Sequence, residues 1–186
     1  MDELIKYFQF SSGISKPLLD ILLPKFSSSH LKAGKFLIRK GQFESKYYFV
    51  ETGSIRKYFI HKEKEYIVWI QTAGDLFCEI KSLRTSQPTN YYFQAIEPTT
   101  YWSINAKEFE KLINEHTELQ LFMRHFWEIK FITALDGFEA FQTLNAKERF
   151  EYLTNAFPRI KNLPLQHLAA IIGVTKSSLS RIRRIK

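Results

Sequence analysis

The sequence predicts an α+β chain in which an antiparallel β-roll is followed by a long helix and a group of short C-terminal helices. Between residues 27 and 104, short β-branched and aromatic runs alternate with Gly and Pro turn signals, a spacing typical of antiparallel sandwiches and barrels. Residues 117–142 form one stretch with apolar residues at helical spacing. The last 42 residues contain nine basic side chains and two acidic ones, so the chain ends in a strongly basic segment.

The composition indicates a folded chain with a substantial core. Of the 186 residues, 45% are hydrophobic and 16% are aromatic, which is enough apolar surface to offset the entropy lost on folding. The single cysteine, Cys78, excludes an internal disulfide, a zinc knuckle and an iron–sulfur cluster. The start resembles no signal peptide, and no run reaches the ~18 apolar residues of a membrane span. We therefore expect a cytoplasmic protein without a membrane partner.

Residues 1–26 are predicted to form one or two short helices before the roll. Pro17 suits a first helical turn, where a missing amide costs little, and Pro24 marks the end of the helix. The charged segment 62–65 is the expected tip of an exposed hairpin. The predicted strands are FLIRK (36–40), KYYFVE (46–51), SIRKYFIHK (54–62), KEYIVWIQ (64–71), NYYFQAIE (90–97) and TTYWSI (99–104).

The long helix predicted over 117–142 is apolar on more than one face. One stripe could cover the roll, and the other then requires a second surface, most simply the same helix of a twin subunit. We therefore expect a homodimer; burial of both stripes in one large core is the alternative. The first stripe consists of Leu119, Phe122, Phe126, Ile129 and Thr133, and the second of Leu121, Ile132, Leu135 and Phe138.

The segment after the long helix has the pattern of a helix-turn-helix. Asn145 and Glu148 have capping-box spacing, and Pro158 predicts a break. In LPLQHLAAIIGVTKSSLSRIRR (163–184), Gly173 suits a left-handed helix end and Thr175 suits the N-cap of the next helix. Pro164 suits a first helical position, and the residues expected to face inward are Leu168, Ala169, Ile172, Leu179 and Ile182.

The exposed face of the second helix is predicted to contact double-stranded DNA. A solvated helix end favoured by the macrodipole would account for Arg183 and Arg184, but not for Lys176 in the N-terminal turn, where the dipole opposes a cation. The exposed face, whose first turn points at base edges, consists of Lys176, Ser177, Ser180, Arg181 and Arg184. The residues better placed for phosphates are Thr175, Ser178, Arg183 and Lys186.

The order of roll, long helix and helix-turn-helix resembles the Crp/Fnr family of bacterial transcription regulators. The segments KAGKFLIRKGQ, YYFVETGSIRKYFI and TAGDLF are similar to that family's glycine-marked turns, and SLSRIRR to its recognition helix. The resemblance implies a cyclic-nucleotide-binding-like sensor domain over 1–116, a dimerisation helix over 117–142 and a DNA-binding domain over 143–186. It further implies a homodimer on palindromic promoter sites, with base-reading positions at Lys176, Ser177 and Arg181, and contact with RNA polymerase.

The resemblance extends to the family's phosphate-binding cassette, which corresponds to FCEIKSLRTSQPTNYYFQA. By that comparison Glu79 lies at the ribose-binding position, with a hydrogen-bonded loop carboxylate as the alternative. Cys78 replaces a Gly, Thr89 replaces the Arg that pairs with the cyclic phosphate, and Asn90 replaces a Ser. Because a neutral Thr cannot supply the bidentate bonds of an Arg, these changes argue against cyclic AMP. A different small-molecule effector, or none, remains open, and Glu79, Thr89 and Asn90 are its candidate ligands.

Other functions have weaker support in the sequence. The chain ends soon after the second helix, so we expect no β-hairpin wing, and the basic tail or the segment near Arg159 and Lys161 would replace its phosphate contacts. No His or Cys has metal-ligand spacing, and no catalytic motif is present, so we expect neither a metal, a resident cofactor nor an enzyme. The alternative function is a small-molecule sensor or regulatory subunit whose C-terminal helices bind a protein partner and not DNA.

Overall fold

The computed structural model describes residues 1–10 and 13–184 and has the predicted α+β architecture. The strands are β1 (Ser27–Leu31), β2 (Phe36–Ile38), β3 (Lys46–Thr52), β4 (Ser54–His61), β5 (Lys64–Thr72), β6 (Leu76–Cys78), β7 (Tyr92–Ala95) and β8 (Thr99–Asn105). The helices are α1 (Asp2–Phe10), α2 (Lys16–Leu22), α3 (Ile80–Thr85), α4 (Ala106–Glu115), α5 (Thr117–Thr143), α6 (Ala146–Ala156), α7 (Leu165–Ile171) and α8 (Lys176–Arg184). None of the described helices is both long and apolar enough to cross a membrane.

The roll consists of two four-stranded sheets, with strand orders β1-β8-β3-β6 and β2-β7-β4-β5. In the antiparallel β3–β8 ladder, Tyr47 lies opposite Ile104 and Phe49 opposite Trp102. Apolar residues from both sheets share one core, because alternate residues of a strand point to the same side. That core contains Ile38, Tyr48, Val50, Ile55, Phe77 and Phe93.

The turns of the roll follow the predicted signals. The β4–β5 hairpin turns at Lys62 and Glu63, whose φ angles of 48° and 61° are those of a tight hairpin turn. Gly53, between β3 and β4, has φ +85°, and a Cβ there would lie 2.6 Å from the carbonyl oxygen of Pro98. Only glycine fits that close approach without moving the backbone.

Besides the three-residue β6, two elements of the roll were absent from the predicted set. Strand β1 reads SSSHL and is almost wholly exposed, so it has no apolar alternation to reveal it. Its position is set by the ladder with β8, in which Ser28 lies opposite Trp102. Helix α3 has only six residues, which is too short for a periodic signal. Neither element therefore has a local sequence pattern from which it could be predicted.

The two short helices predicted before the roll are present and bury apolar side chains. Pro17 lies in the first turn of α2, and Pro24 lies in a short 3-10 turn that follows it. The ring centroid of Phe8 lies 5.2 Å from that of Phe122, at the start of α5. The fully or nearly fully buried residues here are Leu4, Phe8, Leu18, Leu19, Leu22 and Phe26.

Helix α5 matches the predicted span, and one side of it is buried most completely in its first part. Leu119, Phe122 and Phe126 are buried as expected, but Ile129 on the same stripe is about half exposed. Beyond Phe126 the burial of this stripe is incomplete: Thr133 is half-buried, and Ala140, near the end of the helix, is buried again. A second side of the helix stays open to solvent through Leu121, Phe131, Ile132, Leu135 and Phe138.

The chain divides into two compact units. The first comprises Met1–Lys57 and Gln71–Phe126, and the second comprises Tyr58–Ile70 and Trp127–Lys186. Within the second unit, the Trp69 ring meets the Phe157 ring edge-on, with centroids 4.8 Å apart.

Candidate nucleic-acid interface

The C-terminal helices begin at the predicted cap. Asn145 Oδ1 accepts hydrogen bonds from the backbone N–H groups of Lys147 (3.0 Å) and Glu148 (3.2 Å), and Glu148 Oε2 accepts one from the N–H of Asn145 (2.8 Å). This reciprocal capping box satisfies amides that a helix start leaves open. Helix α6 then ends at Ala156, and Pro158 opens a 3-10 turn, which confirms the predicted break.

The turn between α7 and α8 is a Schellman motif centred on Gly173. The N–H of Val174 donates to the carbonyl of Ala169 at 2.9 Å, and the N–H of Gly173 donates to that of Ala170 at 3.2 Å. Gly173 has φ +77°, and a Cβ there would lie 2.9 Å from the ring of Phe141 in α5. The left-handed backbone conformation and the nearby Phe141 ring therefore both favour glycine at this position.

Thr175 is the predicted N-cap of α8. Its Oγ1 accepts a hydrogen bond from the N–H of Ser178 at 3.1 Å, and its carbonyl accepts one from the N–H of Leu179 at 3.0 Å. Its hydroxyl also lies 2.9 Å from the hydroxyls of Ser177 and Ser178. Pro164 was expected to be the first residue of α7, but it lies immediately before the helix, at the N-cap position. Leu168, Ala169, Ile172 and Leu179 are buried, and Ile182 is half-buried.

The outer side of α8 is exposed and cationic. Lys176, Ser177, Arg181, Arg183 and Arg184 are exposed, while Ser178 and Ser180 are half-buried. At 100° per residue, the predicted exposed set from Lys176 to Arg184 lies within an arc of about 140°. No acidic residue follows Glu151 in the sequence, so α8 itself places no carboxylate on this cationic face. Lys186, which was also assigned to phosphates, lies outside the described residues.

The last turn of α5 contacts the helix-turn-helix through Phe141. The guanidinium of Arg149 lies over the Phe141 ring at 4.7 Å, and its Nη1 donates to the carbonyl of Leu144 at 3.1 Å. The same ring closes on Gly173. Phe141 therefore joins the long helix to the α7–α8 turn, and Arg149 joins α6 to the end of the long helix. Neither residue was predicted to belong to the interface. The one signal in the sequence was an aromatic residue near the end of a helix, which is too common a feature to indicate a particular contact.

The interior of the roll contains the predicted ligand residue Glu79. Its side chain is 1% exposed, and its Oε2 lies 2.7 Å from Nζ of Lys57, whose side chain is 17% exposed. Glu79 stands at the N-cap position of α3 but makes no capping hydrogen bond. Lys57 was not predicted from the sequence. It lies two residues after the buried Ile55, so strand alternation already places a charged side chain on the inward face of β4.

The other two candidate ligand residues lie in different environments. Thr89 is buried, and its Oγ1 accepts a hydrogen bond from the N–H of Tyr91 at 3.1 Å. The backbone of Thr89 exchanges hydrogen bonds with Gly41 and Gln42 at 2.8 and 2.9 Å. Asn90 is exposed. In the described part of the chain, no hydrogen bond connects Thr89 or Asn90 with Glu79, and the assignment of these three residues to a ligand stays a prediction.

Cys78 is a packed thiol at the end of β6. Burial, more than any nearby charge, raises the pKa of its thiol from 9.0 to about 12. The thiol is therefore protonated near neutral pH and is a poor nucleophile.

Comparisons with known proteins agree with this architecture. Residues 28–116 match the cyclic nucleotide-binding domain family. No curated protein sequence matches the chain. Among solved structures, a CooA mutant from Carboxydothermus hydrogenoformans is similar, with a TM-score of 0.72 and 19% identity over 91% of this chain and 82% of that one. FixK2 from Bradyrhizobium japonicum gives a TM-score of 0.74 and 15% identity, covering 86% of this chain and 83% of that one.

A transcriptional regulator of the Crp/Fnr family from Eubacterium rectale gives a TM-score of 0.68 and 14% identity, covering 96% of this chain and 86% of that one. At these identities the likeness concerns the fold. The fold is thus that of a cyclic nucleotide-binding domain followed by helices, and the solved structures similar to it include Crp/Fnr family transcription regulators.

Proposed function

We propose that this chain, whose residues 28–116 match a cyclic nucleotide-binding domain, is a sequence-specific DNA-binding transcription regulator of the Crp/Fnr type. It acts in the cytoplasm as a homodimer on palindromic promoter sites, where it contacts RNA polymerase. The roll is its sensor, and a small ligand that binds one arrangement of the long helices more tightly than another would shift the DNA-binding heads. The chain has no catalytic role in this scheme.

The observation that carries the proposal is the exposed cationic face of α8 on a well-formed turn. Lys176 stands in the first turn of α8, where the helix dipole disfavours a cation, so a bound polyanion accounts for it better than helix stability does. The first turn of a recognition helix is also the part that reaches base edges in the major groove. Arg181 lies about one turn after Ser177 on the same face of α8, where its guanidinium would reach guanine O6 and N7.

The homodimer is supported by the exposed face of α5. Leu121, Ile132 and Leu135 lie within about 60° on the helix at 100° per residue, and all three are about half exposed. Phe131 and Phe138 widen this stripe and are more exposed still. A second copy of α5 is the simplest cover for it, and two-fold symmetry would then place two α8 helices about one DNA turn (~34 Å) apart.

Arginine substitutions in α8 test the proposal. Arg181→Ala should lower affinity for the specific site by about 1–3 kcal/mol and leave affinity for random DNA nearly unchanged, because it removes a base contact. Arg184→Ala should weaken both kinds of binding and flatten the salt dependence by about one unit of slope, because it removes a positive charge from the last turn of α8, beyond the base-reading first turn. Fluorescence anisotropy at several salt concentrations measures both quantities.

Lys111→Ala is the matched control, because Lys111 lies on α4 and its side chain is 74% exposed. It should change neither affinity. Equal losses on specific and random DNA from both arginine variants would refute the division of roles. Absence of any preference between DNA sequences in the parent protein would refute DNA readout and favour an acidic protein partner for the basic face.

A further inference from the structure

The carboxylate of Glu79 is buried without the partners that a structural carboxylate normally has. It occupies the N-cap position of α3 yet accepts no capping hydrogen bond from the helix. Its one ion pair among the described residues is with the Lys57 ammonium, at 2.7 Å from Oε2, and that oxygen accepts no hydrogen bond. A buried carboxylate has capacity for several donors and is costly to leave unpaired. The ion pair with Lys57 therefore holds the Glu79 side chain in place, and no capping hydrogen bond to α3 does so.

Aromatic rings complete the surroundings of that cation. The Lys57 Nζ lies 4.2 Å from the ring centroid of Tyr91 and 5.3 Å from that of Phe93. Both distances fall within the ~6 Å range over which a ring face attracts a cation. Phe93 is fully buried in the core of the roll. One carboxylate and two rings around an ammonium are the elements from which proteins build sites for organic amines.

The same surroundings oppose an anion. Thr89 is neutral, and its hydroxyl is already hydrogen-bonded to the N–H of Tyr91. The guanidinium of Arg56 is held by Gln94 at 2.6 Å, and that of Arg84 by Glu110 at 2.6 Å. A phosphate beside Glu79 would therefore have to separate Lys57 from the carboxylate or add an unpaired negative charge to a buried site.

We infer that Glu79, Tyr91 and Phe93 form an ammonium-binding site inside the roll, and that the side chain of Lys57 is its resident occupant. The site is then filled by the chain's own Lys57 ammonium. An external ligand able to enter the site would be an organic amine and not a cyclic nucleotide. This inference specifies the ligand chemistry of the proposed sensor. Its tests need no DNA, so the ammonium site can be refuted while the proposed DNA binding holds. DNA binding can likewise be refuted while the ammonium site holds.

Reductive methylation of the unmodified protein tests the occupancy directly. Formaldehyde and cyanoborohydride add methyl groups to accessible amines, and mass spectrometry gives the rate at each lysine. Lys57 should react at least about tenfold more slowly than Lys64, because a paired, buried ammonium must first leave its site. Lys64 is the matched control: it also lies over a ring, that of Tyr66 at 5.2 Å, but it is exposed. Equal rates at the two lysines would overturn the inference.

Cyclic AMP and cyclic GMP provide the second arm of that experiment. If the site is an ammonium site, millimolar cyclic nucleotide should leave the methylation rate of Lys57 unchanged. Acceleration at Lys57, with no change at Lys64, would mean that a phosphate ligand displaces the lysine, and it would overturn the inference.

Chemical rescue tests the binding chemistry of the emptied site. Lys57→Ala should lower the melting temperature by about 5 °C or more, because it leaves Glu79 buried without a partner. Propylammonium at tens of millimolar should raise the melting temperature of this variant more than that of the parent protein. Adding Glu79→Gln to Lys57→Ala should abolish the extra rise. Sodium chloride at the same ionic strength is the control, and an equal rise with or without Glu79 would refute the site.

Discussion

Replacing Gly173 with Ala tests whether the α7–α8 turn depends on its glycine. Gly173 has φ +77°, and an alanine in the left-handed region costs roughly 1–2 kcal/mol. The new Cβ would also lie 2.9 Å from Cζ of Phe141. The Phe141 ring is 54% exposed, so it can move aside, and most of the cost should come from the backbone. We expect Gly173→Ala to lower the free energy of unfolding by about 1–2 kcal/mol.

The matched control is the same substitution at Gly137, in the interior of α5. A Cβ at Gly137 would meet no atom within 4 Å, and its φ is not positive. Alanine is a better helix former than glycine by about 1 kcal/mol, so Gly137→Ala should stabilise the protein. At about 2–4 °C per kcal/mol for a chain of this size, the two melting temperatures should differ by about 5–10 °C.

Thermal unfolding followed by circular dichroism measures the difference. The variant Phe141→Ala with Gly173→Ala separates the two causes, because it removes the ring and keeps the backbone conformation. If backbone strain dominates, Gly173→Ala should cost nearly as much in the Phe141→Ala background as in the parent. Shifts of the same sign for Gly173→Ala and Gly137→Ala would refute the assignment of the turn.

Two further predictions concern the roll and the long helix. Burial raises the pKa of the Cys78 thiol from 9.0 to about 12, so the thiolate population at pH 8 should be about a thousandfold lower in the native protein than in the unfolded one. The rate of iodoacetamide labelling at pH 8 should fall by the same factor. Comparable labelling rates in the two states would contradict the burial of the thiol. Leu135→Glu should convert the dimer to a monomer in sedimentation equilibrium, because it places a charge in the apolar stripe of α5. The control is Ile60→Glu, which should leave the dimer intact: Ile60 is 47% exposed and Leu135 is 51% exposed. A dimer that survives Leu135→Glu would require another interface.

Sequence patterns predicted the elements that have strong local signals. Six strands have β-branched or aromatic alternation between turn residues, and the structure places strands in each of those runs. The caps at Asn145 and Thr175 were predictable because a cap needs a particular side chain at a fixed offset from the helix. Strand β1 was not predicted, because its serines carry no pattern and its register comes from β8.

The site inside the roll was less accessible to sequence reasoning. Glu79 was identified through a family resemblance, but its contact with Lys57 joins residues 22 positions apart on a strand and a loop. Only the folded register of the roll brings that pair together. The α8 face was easier to predict, because all its members lie on one helix and share a simple periodicity.

The measurement that tests the central claim most directly is selection of bound duplexes from a randomised DNA library at near-physiological salt. We predict enrichment of a palindrome whose half-sites lie about one helical turn apart, since a two-fold dimer presents two α8 helices at that spacing. The enrichment should be lost with Arg181→Ala. Salt-sensitive retention of DNA with no enriched sequence, in the presence and absence of cell extract, would contradict sequence-specific regulation by this chain.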